Sequence, residues 1–336
     1  MNDPTVYTIR PNAPQETVAE ITKILENAKV RYHLTQFDGA PVFLIEDIPP
    51  SVKDHIYKTR CIDGERTTDE PFKLCSDVMR LAGSVVRIRD FAVGSGNFAI
   101  IAGPCTVETE KQVLTTAKLV KAAGATALRG GAFKPRTSPY TFQGLKLEGL
   151  KILHKVRQET GLVTVTEAMS PEEIKLVAEY ADIVQIGSRN AQNYRLLEAC
   201  GEVRIPVVLK RGFANTLEEF LMSAEYILAG GNEQVILCER GIKTFETHVR
   251  YTLAVGTIPA LKSMTHLPVI VDPSHAAGDA SVVPSLAFAS TAAGADGLLI
   301  EVHPDPEHAL CDGRQSLTPE EFTAMAHTCK KIRKVI

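Results

Sequence analysis

Eight short apolar runs, spaced by segments of helical periodicity and each closing in polar residues, predict an α/β chain built around a (β/α)8 TIM barrel. Length agrees. The chain has 336 residues, more than an ordinary domain of ~100–200 uses, and a barrel of about 250 leaves a remainder. That remainder is N-terminal and differs in texture. The expected division is a small α+β domain over 1–83 and the barrel, with a short strand extension, over 84–336.

The N-terminal part reads in order. Residues 6–10 alternate as a strand. Residues 15–28 carry Val18, Ile21, Ile24 and Leu25 on one helical face. Residues 30–37 alternate again, and Asp38-Gly39 is a hairpin signal leading to a return strand over 42–45. This βαββ order suggests a split βαβ module. Residues 51–80 are charged and yield no element. Residues 84–89 read as a strand, followed by a turn at Gly94-Ser95-Gly96-Asn97.

The barrel strands are expected at 99–102, 126–129, 163–166, 183–186, 207–209, 235–237, 269–271 and 297–300. Helices are expected at 111–123, 171–180, 216–229 and 319–335. Continuous apolar strands between helices indicate a buried parallel sheet. A doubly wound open sheet is the alternative.

Composition narrows the partners. The balance of 37 basic and 40 acidic residues gives −3, so no broad basic surface points to nucleic acid. No apolar run reaches the ~20 residues of a membrane span. The N-terminus lacks a basic segment followed by an apolar core, so no secretory leader is expected. Seven scattered cysteines fit a reducing cytoplasm better than a disulfide framework.

In a closed barrel all strand C-termini meet at one mouth. Two chemical subsets gather there. One is cationic: Arg129, Lys134, Arg136, Arg189, Lys210, Arg211 and Arg240. Unpaired, these would repel one another, so phosphates and carboxylates are their natural ligands. Glu167, Glu239 and Asp272 can pair with some of them but are too few for all. The other subset is Cys105, His275, Glu301 and Asp312, a mixed S/N/O set suited to a divalent transition metal. Any one of these alone is an ordinary core thiol or solvated loop residue. Cys61, Cys75, Cys200, Cys238 and Cys329 show no ligand spacing. His154, His248, His266 and His327 fall in or near helices and read as structural. His303 and His308 stay open.

Longer motifs carry a resemblance. IAGPCTVE (101–108), LRGGAFKPRTSPYTFQG (128–144), QIGSRNAQN (185–193), VLKRGF (208–213), ILCERG (236–241), VDPSHAAG (271–278) and IEVHPDPEHALCDGRQSL (300–317) resemble the type I beta class of 3-deoxy-D-arabino-heptulosonate 7-phosphate (DAHP) synthases. The resemblance covers about residues 84–330. The octulosonate-forming sibling family usually reads KANRSS where this chain has KPRTSP, which favours the heptulosonate family.

The resemblance implies a metal-dependent condensation of phosphoenolpyruvate with erythrose 4-phosphate at the head of the shikimate pathway. It implies Cys105, His275, Glu301 and Asp312 as ligands of Mn2+, Fe2+, Co2+ or Zn2+. Arg129, Arg189, Lys210 and Arg240 match the phosphoenolpyruvate site. Lys134 matches a lysine between both substrates and is the candidate for proton delivery. Arg136 and Thr137 match the erythrose 4-phosphate site. A water on the metal or a nearby carboxylate is open as the base, with Glu167 and Asp272 as the candidate carboxylates.

The N-terminal module resembles the ferredoxin-like regulatory domain of some members. The likeness implies feedback inhibition by tyrosine or phenylalanine, with His33 and Thr35 as contacts. A role in assembly alone is the plainer reading. A homotetramer is usual in the family. Rival readings are octulosonate synthesis, an aldolase using Lys210 as a Schiff base, and a non-catalytic sensor of a phosphorylated metabolite. Because Cys311 directly precedes Asp312, its thiol is expected near Cys105, close enough for a disulfide in the metal-free enzyme.

Overall fold

The computed structural model describes residues 4–136 and 138–336. Its N-terminal elements are β1 (Thr5–Ile9), α1 (Gln15–Asn27), β2 (Tyr32–Phe37), β3 (Ala40–Ile45), α2 (Pro50–Lys58) and β4 (Ile62–Arg66). The four strands form an antiparallel sheet in the order β2-β3-β1-β4, the split βαβ arrangement. Strand alternation gives the sheet two apolar faces. Tyr7, Ile9, Phe43 and Ile45 pack under Ile21 and Leu25 of α1 and Ile56 of α2. Val6, Phe37, Val42 and Leu44 face the other way and join the apolar layer around the barrel.

Helix α2 and strand β4 fall in the segment that yielded no expected element. The reason is weak patterning. Only Ile56 of α2 is buried, and β4 reads Ile-Asp-Gly-Glu-Arg at the sheet edge. The connector after β4 packs on the barrel. Leu74 N and Cys75 N donate to the buried carboxylate of Glu225 at 2.7 and 2.9 Å.

A hairpin follows, β5 (Val86–Ile88) with β6 (Phe91–Val93). The barrel strands are β7 (Ala99–Gly103), β8 (Ala127–Arg129), β9 (Val163–Ala168), β10 (Ile183–Ile186), β11 (Val207–Lys210), β12 (Val235–Glu239), β13 (Val269–Val271) and β14 (Gly297–Glu301). All are parallel, and β14 pairs with β7, which closes the ring and rules out an open sheet. Alternate strand residues fill the interior, and Val86, Phe91 and Val93 of the hairpin cap it from below.

The helices are α3 (Glu110–Ala122), α4 (Leu147–Thr160), α5 (Pro171–Tyr180), α6 (Tyr194–Glu202), α7 (Leu217–Ala229), α8 (Thr257–Met264), α9 (Pro273–Ala277), α10 (Val283–Ala292) and α11 (Pro319–Arg333). Those foreseen carry clear start signals. Thr216 with Glu219 and Thr318 with Glu321 form capping boxes. Ser170 caps α5 ahead of Pro171. Five went unforeseen: α4, α6, α8, α9 and α10. Helix α10 is apolar on nearly every side, so it offers no amphipathic stripe. Helix α9 has only five residues.

Candidate active site

The polar strand ends do converge. Lys134, Arg136, Arg189, Lys210, Arg240, Arg250, Glu167, His275 and Asp312 line one cavity of about 250 Å³ at the barrel mouth. Below it, a narrower pocket reaches Cys105, Arg129 and Gln185.

Local geometry sets each group. In the Asp-Pro-Ser-His turn, Asp272 caps α9 by accepting a hydrogen bond from His275 N at 2.9 Å. Pro273 supplies the helical φ at the first position. The imidazole therefore folds back, with Nδ1 2.7 Å from Asp272 Oδ2 and Nε2 3.4 Å from Glu301 Oε1. Two glycines make room. A Cβ on Gly103 would stand 2.2 Å from the Arg129 carbonyl, and one on Gly187 would stand 2.1 Å from Glu167 Oε1. Asp312 takes a left-handed φ of 51°, which Asp tolerates better than most residues.

The four expected metal ligands come together around Asp312. His275, Glu301 and Asp312 offer ligand atoms within 4.8 Å of one another, and so do Cys105, Cys311 and Asp312. Cys105 Sγ lies 3.2 Å from Asp312 Oδ2. Glu301 is fully buried. Its Oε2 accepts from Gln315 Nε2 at 2.7 Å, while Oε1 accepts no hydrogen bond. Oε1 instead faces Arg129 Nη2 at 3.0 Å and His275 Nε2 at 3.4 Å. The nearby Asp312 carboxylate opposes the charge on Glu301, and a divalent cation between the two would remove that repulsion. The donor set fits such an ion.

Protonation states follow from the same contacts. Burial, with Lys210 nearby, pushes the His275 imidazole down to about 4, so it stays neutral and can ligate. Burial alone would push Asp272 up, but His275 and Lys210 outweigh it and hold the carboxyl well below its usual range. Burial likewise opposes ionisation of Asp312, yet Lys134 and His275 bring it to about 2. Burial opposes the charge on Lys134 too. Cys105, Cys311, Glu167 and Glu301 overcome this and raise it, so Lys134 is an ammonium. Its Nζ donates to Cys105 Sγ at 3.1 Å.

The cations divide. Arg129 pairs with Glu301 at 3.0 Å and Lys210 with Asp272 at 2.5 Å. Arg211, expected at the mouth, turns away: it pairs with Glu239 at 2.7 Å and donates to Asn215 O. The buried Glu239 carboxylate is therefore spent on Arg211 and on the backbone N–H groups of Arg240 and Gly241. Arg240 is buried with Nε and Nη1 unpaired, and Arg129 leaves the same two atoms unpaired. Arg136 Nη1 donates to Cys311 Sγ at 2.8 Å. Thr137 lies outside the described residues.

Other expectations sort themselves. Cys311 Sγ is 3.2 Å from Cys105 Sγ. Cys75, Cys200, Cys238 and Cys329 are core residues. His266 is buried between Leu74 O and Ser84 Oγ, whereas His248 is exposed on the loop before α8. His303 is buried with Nε2 3.5 Å from Glu108, and His308 is exposed beside Asp305. His33 Nε2 meets Ala229 O at 3.0 Å, and Thr35 is buried on the same strand face, toward the barrel. Arg250 and Gln315 went unforeseen. Gln315 lies inside the quoted 300–317 motif; Arg250 sits on a long loop and left no signal.

The DAHP synthetase I family profile matches residues 77–336. The chain belongs to this family. The phospho-2-dehydro-3-deoxyheptonate aldolase of Thermotoga maritima is 43% identical over 328 residues, 97% of each chain. Its crystal structure superposes with a TM-score of 0.79 at 42% identity, covering 99% of this chain and 98% of that one. A 2-dehydro-3-deoxyphosphooctonate aldolase from Desulfatibacillum aliphaticivorans is 35% identical, but over 70% of this chain and 92% of its own. The family relationship is thus stronger on the heptulosonate side. Among the described residues, no helix is long and apolar enough to cross a membrane.

Proposed function

We propose that the chain condenses phosphoenolpyruvate with D-erythrose 4-phosphate and water, releasing DAHP and phosphate, the first step of the shikimate route to aromatic amino acids. One observation carries this. Two buried guanidinium groups, Arg129 and Arg240, keep unpaired N–H groups beside a cluster of S, N and O metal ligands. Such a site suits a substrate with two anionic ends and an oxygen to be polarised.

Arg129, Lys134 and Lys210 would take the carboxylate of phosphoenolpyruvate in the deeper part of the cavity. Arg189 and Arg240 would take its phosphate. Arg136 and Thr137 would hold the phosphate of the sugar. Cys105, His275, Glu301 and Asp312 would hold the divalent metal, Mn2+, Fe2+, Co2+ or Zn2+. When bound, such an ion supplies Lewis acidity toward the aldehyde oxygen. Lys134, an ammonium against Cys105, gives the aldehyde oxygen its proton as C3 of phosphoenolpyruvate forms the new C–C bond. Water then adds at C2, and the C–O bond to phosphate breaks. Asp272 is fully engaged by Lys210, His275 Nδ1 and a backbone N–H. That favours Glu167, on the cavity wall, as the base toward water. The same pairing of Lys210 disfavours a Schiff base.

Residues 1–83 would form the regulatory module and 84–336 the catalytic barrel. His33 lines a cleft of about 590 Å³ between the module and α7, with Arg31, Tyr32, Lys73 and Glu225. Tyrosine or phenylalanine is the proposed inhibitor there. The metal-binding thiolate of Cys105 suits a cytoplasmic setting, and the assembly is proposed as a homotetramer, measurable by light scattering.

The test is phosphate release. It should require both phosphoenolpyruvate and erythrose 4-phosphate, stop on chelation and return with Mn2+. Preference for arabinose 5-phosphate would move the reading to the octulosonate reaction. Metal-independent turnover trapped by borohydride would move it to a Schiff base. Binding of either substrate without turnover would leave a sensor.

A further inference from the structure

The cavity holds its cations in two different ways. Arg129 and Lys210 each lean on a buried carboxylate. Arg240 does not: none of the ion pairs among the described residues involves it. Its guanidinium carbon lies 4.0 Å from the ring centroid of Tyr251 and 5.0 Å from that of Phe213. The two rings stack at 5.1 Å with their planes 6° apart. Arg189 lies 5.9 Å from the same Phe213 ring.

The chemistry of the two supports differs. A carboxylate partner consumes N–H groups and cancels charge. An aromatic face attracts a guanidinium through its quadrupole and leaves the N–H edge free. Arg240 is 3% exposed, and its Nε and Nη1 have no hydrogen-bond partner. Such an arrangement is costly unless an anion arrives. The rings themselves are fixed by backbone contacts. Tyr251 N donates to Ala276 O at 2.9 Å and Lys243 N donates to Phe213 O at 2.7 Å. Ile242 and Thr252 form an antiparallel bridge just inside Tyr251.

We propose that Phe213 and Tyr251 form a positioning platform that presents Arg240, uncompensated and pre-oriented, to an anionic oxygen of the phosphate class. The platform acts through Arg240, and both rings also line the cavity. It rests on the reading of Arg240 as a ligand of phosphoenolpyruvate.

The experiment is steady-state kinetics on metal-loaded full-length enzyme, with calorimetric binding of phosphoenolpyruvate alone. Tyr251→Leu should raise KM and Kd for phosphoenolpyruvate roughly tenfold, the scale of one desolvated cation–ring contact, with kcat nearly unchanged. Tyr251→Phe keeps the ring face and should restore both constants. Phe213→Leu should shift them in the same direction and serves as the test if Tyr251→Leu does not fold. Wild-type constants in both Leu variants, with Arg240→Gln strongly impaired, would overturn the platform. Unchanged binding in Arg240→Gln would instead overturn the ligand reading on which it rests.

Discussion

The two ends of the barrel are made from opposite materials. At the C-terminal mouth, Arg129, Lys210, Glu239, Asp272 and Glu301 are all buried and charged. At the other end, Val86, Phe91 and Val93 of a short hairpin close the same barrel with hydrocarbon. The strands between are shared, so the difference lies in what each end is asked to do. The lower end only excludes water, and apolar packing does that at lowest free energy. The mouth keeps charges that pair incompletely, as the unpaired atoms of Arg129 and Arg240 show. Substitutions should therefore separate: activity from the top, stability from the bottom.

The largest effect is expected at the top. Glu301→Gln should lower activity and the affinity for Mn2+, read by chelator competition, by more than about a hundredfold. Residues merely supporting a metal ligand already reach that scale. Its thermal midpoint should stay close to wild type. A large loss of stability with metal affinity intact would erase the contrast.

Oxidation is the next test of the mouth. With Cys105 and Cys311 Sγ 3.2 Å apart, peroxide should convert the metal-free enzyme to a disulfide, two thiols and H2O2 giving one S–S bond and two waters. Activity should vanish and return with dithiothreitol. A thiol count unchanged by peroxide would refute the pairing.

At the bottom, Phe91→Ala should cost about 3–5 kcal/mol of stability, the usual penalty for emptying an aromatic site in a core. Phe91 is 1% exposed. Folded protein should keep its kcat. A specific loss of kcat would mean that the two ends are coupled.

The smallest effect is a pH dependence at the same end. His266 is buried, with Nε2 donating to Leu74 O and Nδ1 accepting from Ser84 Oγ. Burial pushes it down to about 4. The unfolded chain, with a pKa near 6.5, takes up a proton first as pH falls. Stability should therefore drop by about 2 kcal/mol between pH 7.5 and 5, measured by urea unfolding. His266→Gln should flatten that slope.

Much of this is legible in the amino-acid sequence. The eight strand ends are, because a buried parallel strand is a short apolar run and the loop after it must be polar. The candidate ligands Cys105, His275, Glu301 and Asp312 are as well, through the motifs around them. Helix α2 and strand β4 are not, since their apolar faces are one residue wide or absent. Arg211 was misplaced for a different reason. Lys210 is the last residue of β11 and Arg211 follows it directly; the extended alternation sends the two side chains to opposite sides, and only Lys210 enters the cavity.

The amino-acid order by itself determined the barrel, the mouth as the end where polar groups converge, and the residue types gathered there. These depend on local periodicity and on motifs that are contiguous in the chain. Tertiary structure alone decided the pairings. Asp272 became a support for His275 and Lys210, Glu239 was drawn to Arg211, and Arg240 was left on two aromatic rings with free N–H groups. Those outcomes depend on distances between residues on different strands and loops. Charge and hydrogen bonding act over a few ångströms, and sequence separation carries no such scale.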